Sequence, residues 1–215
     1  MTDHDFSHEL VCGQSGLRVR FRRASDRFEH IVDLAGQPEE GAMRSIEGSS
    51  TEAWPASPAI QQLSTEQIEG ATMLMGVGGS GTSHFSLSVR CATSSDGMPS
   101  IHFDWAARLT KASMATWLSQ SESEQPPESQ DNHSSDTERI DLGSEYAMSR
   151  PWSVEVEPPA RLIEIPETVP AKDPHAASES VSGGMPPADG KGRIRVEAEI
   201  QPGEQTVRWS YRIGR

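Results

Sequence analysis

The chain has 215 residues, of which 34% are hydrophobic and 6% aromatic, and its net charge is −13. That is enough apolar material for one modest core and little for two, and the negative balance argues against nucleic acid as a partner, since phosphate binding needs a basic face. No run approaches a membrane span and no apolar leader follows the polar start Met1-Thr2-Asp3-His4-Asp5, so the expectation is a soluble, cytoplasmic protein with no membrane partner.

Residues 17–23 alternate, with Leu17, Val19 and Phe21 pointing one way and Arg18, Arg20 and Arg22 the other. A turn at Ala24-Ser25-Asp26 and a return over 28–34 predict a hairpin. Residues 36–50 read as loop. Trp54-Pro55-Ala56-Ser57-Pro58 reads as extended, because a residue before proline is pushed out of the helical region. Ser64-Thr65-Glu66-Gln67 has the spacing of a capping box, and with Gly70 as a stop it predicts a helix of one or two turns.

A hairpin is expected over 71–91, with Phe85, Leu87 and Val89 on one face and His84, Ser86, Ser88 and Arg90 on the other. A turn over 93–99 leads to a strand at 101–109, where Ile101, Phe103 and Trp105 alternate with His102 and Asp104. A short helix is expected over 112–118. From 119 to 138 there is no apolar residue, and 120–138 carries six acids and no Lys or Arg, so 119–138 is expected to be a disordered acidic insertion. Trp152, Val154 and Val156 mark a strand that Pro158-Pro159 ends, and 161–165 reads as an edge strand. The Pro/Ser/Gly-rich stretch 166–191 is expected to be a second disordered insertion. The last hairpin turns at Pro202-Gly203, a type II signature, which sets Val196 opposite Trp209 and Glu197 opposite Arg208. The tryptophans Trp54, Trp105, Trp117, Trp152 and Trp209 are expected to be mostly core anchors.

No strand is followed by a long helical pattern, so residues 9–215 read as a single all-β domain. The architecture expected is an antiparallel sandwich or barrel of eight or more short strands, with the two insertions hanging from its loops.

Gly76, Gly78 and Gly81 match G-x-G-x-x-G, and residues 76–83 match a P-loop except that Thr82 replaces the lysine. Both motifs need a following helix, and a strand follows here, so the stretch reads as a glycine loop between strands. Ser80, Ser83 and His84 sit beside it, but no nucleophile elbow is present. Cys12 and Cys91 are the only cysteines; they read as small, partly buried apolar residues, with one disulfide between them left open.

Two candidate sites emerge. Arg18, Arg20 and Arg22 share a strand face, and pairing of the first and last strands would extend it with Arg193, Arg195, Arg208 and Arg212 into a basic face for an anionic ligand or protein. The opposing reading is neutralisation by Glu155, Glu157, Glu197 and Glu199. The second candidate groups His84, His102 and Asp104 as an acid–base or metal cluster of a hydrolase. A non-enzymatic binding module is the first reading and the hydrolase the alternative, and no cofactor or resident metal is assigned.

The combination of Trp54-Pro55-Ala56-Ser57-Pro58, Gly76-Val77-Gly78 with Gly81 and Ser83-His84-Phe85-Ser86-Leu87-Ser88-Val89, Phe103-Asp104-Trp105-Ala106-Ala107-Arg108 and Leu142-Gly143-Ser144-Glu145-Tyr146 resembles an uncharacterised family of small bacterial β-rich proteins. The resemblance implies that these stretches belong to one ordered unit, and it carries no activity.

Overall fold

The computed structural model describes residues 6–47, 57–109, 140–148, 152–165, 192–200 and 205–215. The helix expected at 112–118, both expected insertions, the Pro202-Gly203 turn, Trp54 and Trp117 lie outside the described residues. Among the described residues thirteen strands form: β1 (His8–Cys12), β2 (Leu17–Ala24), β3 (Arg27–Leu34), β4 (Met43–Ile46), β5 (Gln62–Ile68), β6 (Ala71–Ser80), β7 (Ser83–Thr93), β8 (Pro99–Arg108), β9 (Ile140–Met148), β10 (Ser153–Glu157), β11 (Ala160–Ile165), β12 (Gly192–Ile200) and β13 (Thr206–Gly214). They make two antiparallel sheets in the orders β1-β2-β3-β4-β9-β12-β11 and β10-β13-β8-β7-β6-β5. Both sheets end in edge strands, so the fold is a sandwich and not a closed barrel.

Alternation places the core. Leu17, Val19 and Phe21 of β2 are buried, as are Phe85, Leu87 and Val89 of β7 and Ile101, Phe103 and Trp105 of β8. Trp209 of β13 lies opposite Trp105, and the two indoles stack with centroids 5.8 Å apart. Trp152 is only partly buried against the core. As expected, 160–165 is an edge strand, reached from β10 through the Pro158-Pro159 turn.

Four local expectations are corrected. Residues 62–68 are strand β5, not a capped helix, because pairing with β6 satisfies a backbone that is too short to hold an isolated helix. Residues 36–50 are not all loop: a 3-10 turn at Glu39–Gly41 precedes β4, whose Met43 is buried. Gly76, Gly78 and Gly79 are not a loop either. They lie within β6, and the turn is only Gly81-Thr82.

Their role is close approach. A Cβ on Gly78 would sit 2.0 Å from the carbonyl oxygen of Ala59, and one on Gly76 2.9 Å from Ile60 Cγ2. The crossing segment 57–61 therefore lies tight on the inner side of β6, closing one flank of the sandwich. It is tied to both sheets: the Phe28 N–H donates to Ile60 O at 2.7 Å, and the Gln61 N–H to Val77 O at 2.9 Å.

The fourth correction is the largest. β12 and β13 do not pair: β12 lies between β9 and β11, whereas β13 lies between β10 and β8 in the other sheet. Val196 faces Ser144 and Leu162 along its sheet, Glu197 faces Gly143 and Arg161, and Arg208 faces Ala106. A strand with one apolar face satisfies its alternation equally well by pairing sideways or by packing across the core, so the pattern alone did not separate the two.

The cysteines are also resolved. Cys12 and Cys91 form a disulfide with their Cα atoms 5.3 Å apart, and it links β1 of one sheet to β7 of the other. Among the described residues, no helix is long and apolar enough to cross a membrane.

Candidate functional site

The outer face of the seven-stranded sheet carries the predicted arginine stripe, and carboxylates hold most of it in place. Arg18 lies 2.9 Å from Glu9 and 2.6 Å from Asp33. Arg20 pairs with the other Asp33 oxygen and reaches Glu39 at 3.1 Å, and Glu39 also takes Arg44 at 2.7 Å. The ring of Phe6 lies 3.9 Å from the Arg20 guanidinium carbon, which leaves Arg20 only 3% exposed. Arg22 pairs with Glu29, Arg193 with Glu145, and Arg195 with Glu197 at 3.4 Å.

The expected continuous basic face does not form. The last strand lies in the other sheet, and β3, β4 and β9 separate β2 from β12. Neutralisation in cis is real, but Asp33, Glu9, Glu29 and Glu39 supply it for β2, in place of the glutamates expected from the sequence. Of the expected glutamates, Glu197 serves Arg195 and Arg161, while Glu155 and Glu157 serve Arg212 on the opposite sheet.

The outer face of the six-stranded sheet differs. Arg90, His102 and Arg212 stand in one row across β7, β8 and β13, with Glu155 next in line on β10. The Arg90 Nε–H donates to His102 Nδ1 at 3.2 Å, so the imidazole proton sits on Nε2, 3.9 Å from Glu157 Oε1. Burial, and next the Arg90 charge, hold the His102 pKa below its usual value. The hydroxyl of Ser210, 2.7 Å from Glu157, contributes most to keeping that carboxyl below the usual range, and Arg212 adds to it.

At the other end of the same face, Arg108 lies opposite His84 on β7, and Arg208 lies on the neighbouring β13. His84, Arg108 and Arg208 are exposed, and among the described residues neither arginine is in an ion pair. Between the two ends run short side chains: Ser86, Ser88, Ala106 and Ser210, with Asp104 exposed among them.

His102 and Asp104 share this face as expected, but His84 does not join them. It pairs with position 108, six residues along β8 from His102, a separation of roughly 20 Å at the usual strand rise. Among the described residues no three His, Cys, Asp or Glu side chains are grouped to hold a metal ion.

The interior holds a polar chain that the sequence reading missed. His30 Nε2 lies 2.8 Å from the Tyr146 hydroxyl, that hydroxyl bonds the Tyr211 hydroxyl, and the Trp105 Nε1–H donates to Tyr211 at 3.1 Å. Glu47 Oε1 stands 3.8 Å from His30 Nδ1. One consistent order of protons runs from Trp105 through Tyr211 and Tyr146 to His30 Nε2, leaving the His30 proton on Nδ1 toward Glu47. Burial lowers the His30 pKa to about 3 and raises Glu47 to about 7. Burial also raises both tyrosines, Tyr211 to about 12. The signal was His30 itself, which sits on the apolar side of β3 with Phe28, Val32 and Leu34.

These two groups impose opposite pH slopes. His30 contributes stability that is complete above the ordinary 6.5 and is lost as pH falls toward about 3. Glu47 contributes stability that is complete below the ordinary 4.5 and is lost as pH rises through about 7. The expected result is that Glu47→Gln raises the melting temperature at pH 8 relative to pH 5 when compared with the parent. Identical pH profiles for the two proteins would refute the assignment.

Compared with protein-family models, curated proteins and solved structures, the chain matches none.

Proposed function

We propose that the protein is a non-enzymatic binding module that contacts an anionic protein segment through the outer face of its six-stranded sheet. The observation that carries this reading is the contrast between the two outer faces. On the seven-stranded sheet Arg18, Arg20, Arg22, Arg193 and Arg195 all stand against carboxylates, so an incoming anion would have to displace them. On the six-stranded sheet Arg108 and Arg208 are exposed, and between them and Arg90 the strands β7, β8 and β13 carry small side chains and Asp104, flanked by Val77 on β6 and Glu157 on β10. A flat strip with cations at both ends suits an extended acidic chain, which gains long-range attraction before contact. Of the arginines first considered for a ligand, Arg208 alone is kept.

The disulfide turns our reading of location away from the reducing cytoplasm expected from the sequence and toward an oxidising compartment, where such bonds persist.

A fluorescein-labelled oligoglutamate peptide provides the test. Anisotropy should report binding at low ionic strength that weakens with added salt. The double variant Arg108→Glu/Arg208→Glu should bind roughly tenfold or more weakly with an unchanged melting temperature. Absence of binding at low salt, or equal binding by the double variant, would refute the proposal.

A further inference from the structure

The two cysteines of the disulfide differ in exposure: residue Cys12 is 5% exposed, whereas residue Cys91 is exposed. Both line an open groove of about 350 Å³, together with the 3-10 turn Gly13–Ser15 and with Thr93, Gly97 and Pro99. That volume lies within the ~300–1,000 Å³ range of small-molecule sites. Its lining includes the Gln14 amide and the Ser15 and Thr93 hydroxyls and no charged side chain. Polar donors are therefore at hand for a peptide-like thiol.

We propose that Cys91 Sγ is a thiol-exchange site, at which a low-molecular-weight thiol such as glutathione enters through this groove while the sandwich stays folded. The thiolate attacks Cys91 Sγ and forms a new S–S bond there. The Cys12–Cys91 bond breaks, and its electron pair leaves on Cys12 Sγ, which takes a proton from water. No net oxidation or reduction occurs in this step: one disulfide is exchanged for another. Access selects the sulfur, because exchange rates depend on which sulfur the nucleophile can reach. The product frees β1 from its covalent tie to β7 and loads a thiol adduct at the mouth of the groove. The opposite regiochemistry would require a nucleophile at the buried Cys12.

Native protein should be incubated with reduced glutathione, quenched in acid, alkylated, digested and mapped by mass spectrometry. The expected result is a glutathione adduct on Cys91 and an alkylated Cys12, at a rate unchanged by urea below the unfolding transition. Thr93→Trp, at an exposed position on the rim, should slow the reaction about tenfold while leaving the melting temperature unchanged. An adduct on Cys12, exchange that rises in step with urea-induced unfolding, or an unaltered rate in Thr93→Trp would overturn the proposal.

Discussion

Replacing both cysteines, Cys12→Ser with Cys91→Ser, should destabilise the protein by about 4 kcal/mol. The bond closes a loop spanning 79 residues, and in the chain-entropy account the stabilisation grows with the logarithm of loop length. Its placement adds to the effect. Among the described residues β1 is an edge strand that pairs only with β2, and the disulfide ties it to β7 across the core. For a chain of this size the loss corresponds to a melting-temperature drop on the order of 10 °C. Paired urea and thermal melts of the oxidised parent and the double serine variant provide the measurement. An unchanged midpoint, or an untreated parent with two alkylatable thiols, would show that the clasp does not stabilise the fold.

Asp33→Ala should cost about 3–5 kcal/mol, the range found when one partner of a buried ion pair is removed. Asp33 is 2% exposed and receives both Arg18 and Arg20, with Arg20 itself 3% exposed beneath Phe6. Alanine would take from the buried Arg20 guanidinium its most deeply buried counter-charge. The charge is the cause, so a second change should give part of the loss back. Arg20→Met in the Asp33→Ala background should be more stable than Asp33→Ala alone, because an apolar group can fill the space under Phe6 without a desolvated charge. Strictly additive losses in chemical denaturation would contradict this account and would leave the arginine stripe without a structural role.

How much of this was legible beforehand depended on the range of the interaction. The strands β2, β3, β7 and β8 could be read from their residues, because a period of two in Leu17-Val19-Phe21 or Phe85-Leu87-Val89 reflects one buried face, whatever covers it. The β2–β3, β6–β7 and β7–β8 hairpins were legible for the same local reason, whereas the hairpin expected of β12 and β13 was not a pair at all. The capping-box spacing at Ser64 misled, because tertiary pairing with β6 overrides a weak local preference. The arginine stripe was seen but its partners were misassigned, since the carboxylates reach it across strands and from the 3-10 turn at Glu39. His84 was grouped with His102 on an assumed register, and the actual register separates them.

By itself, the amino-acid order determined that this chain builds antiparallel ribbons with one greasy side, because pleating is dictated residue by residue. Only the folded molecule decided which ribbon lies beside which: that β12 and β13 part into separate sheets, that Cys12 meets Cys91, that Gly78 makes room for Ala59, and that His30 finds Tyr146 in the interior. The physical reason is that alternation encodes the direction of a side chain relative to its own backbone. It carries no information on the partner from a distant part of the chain.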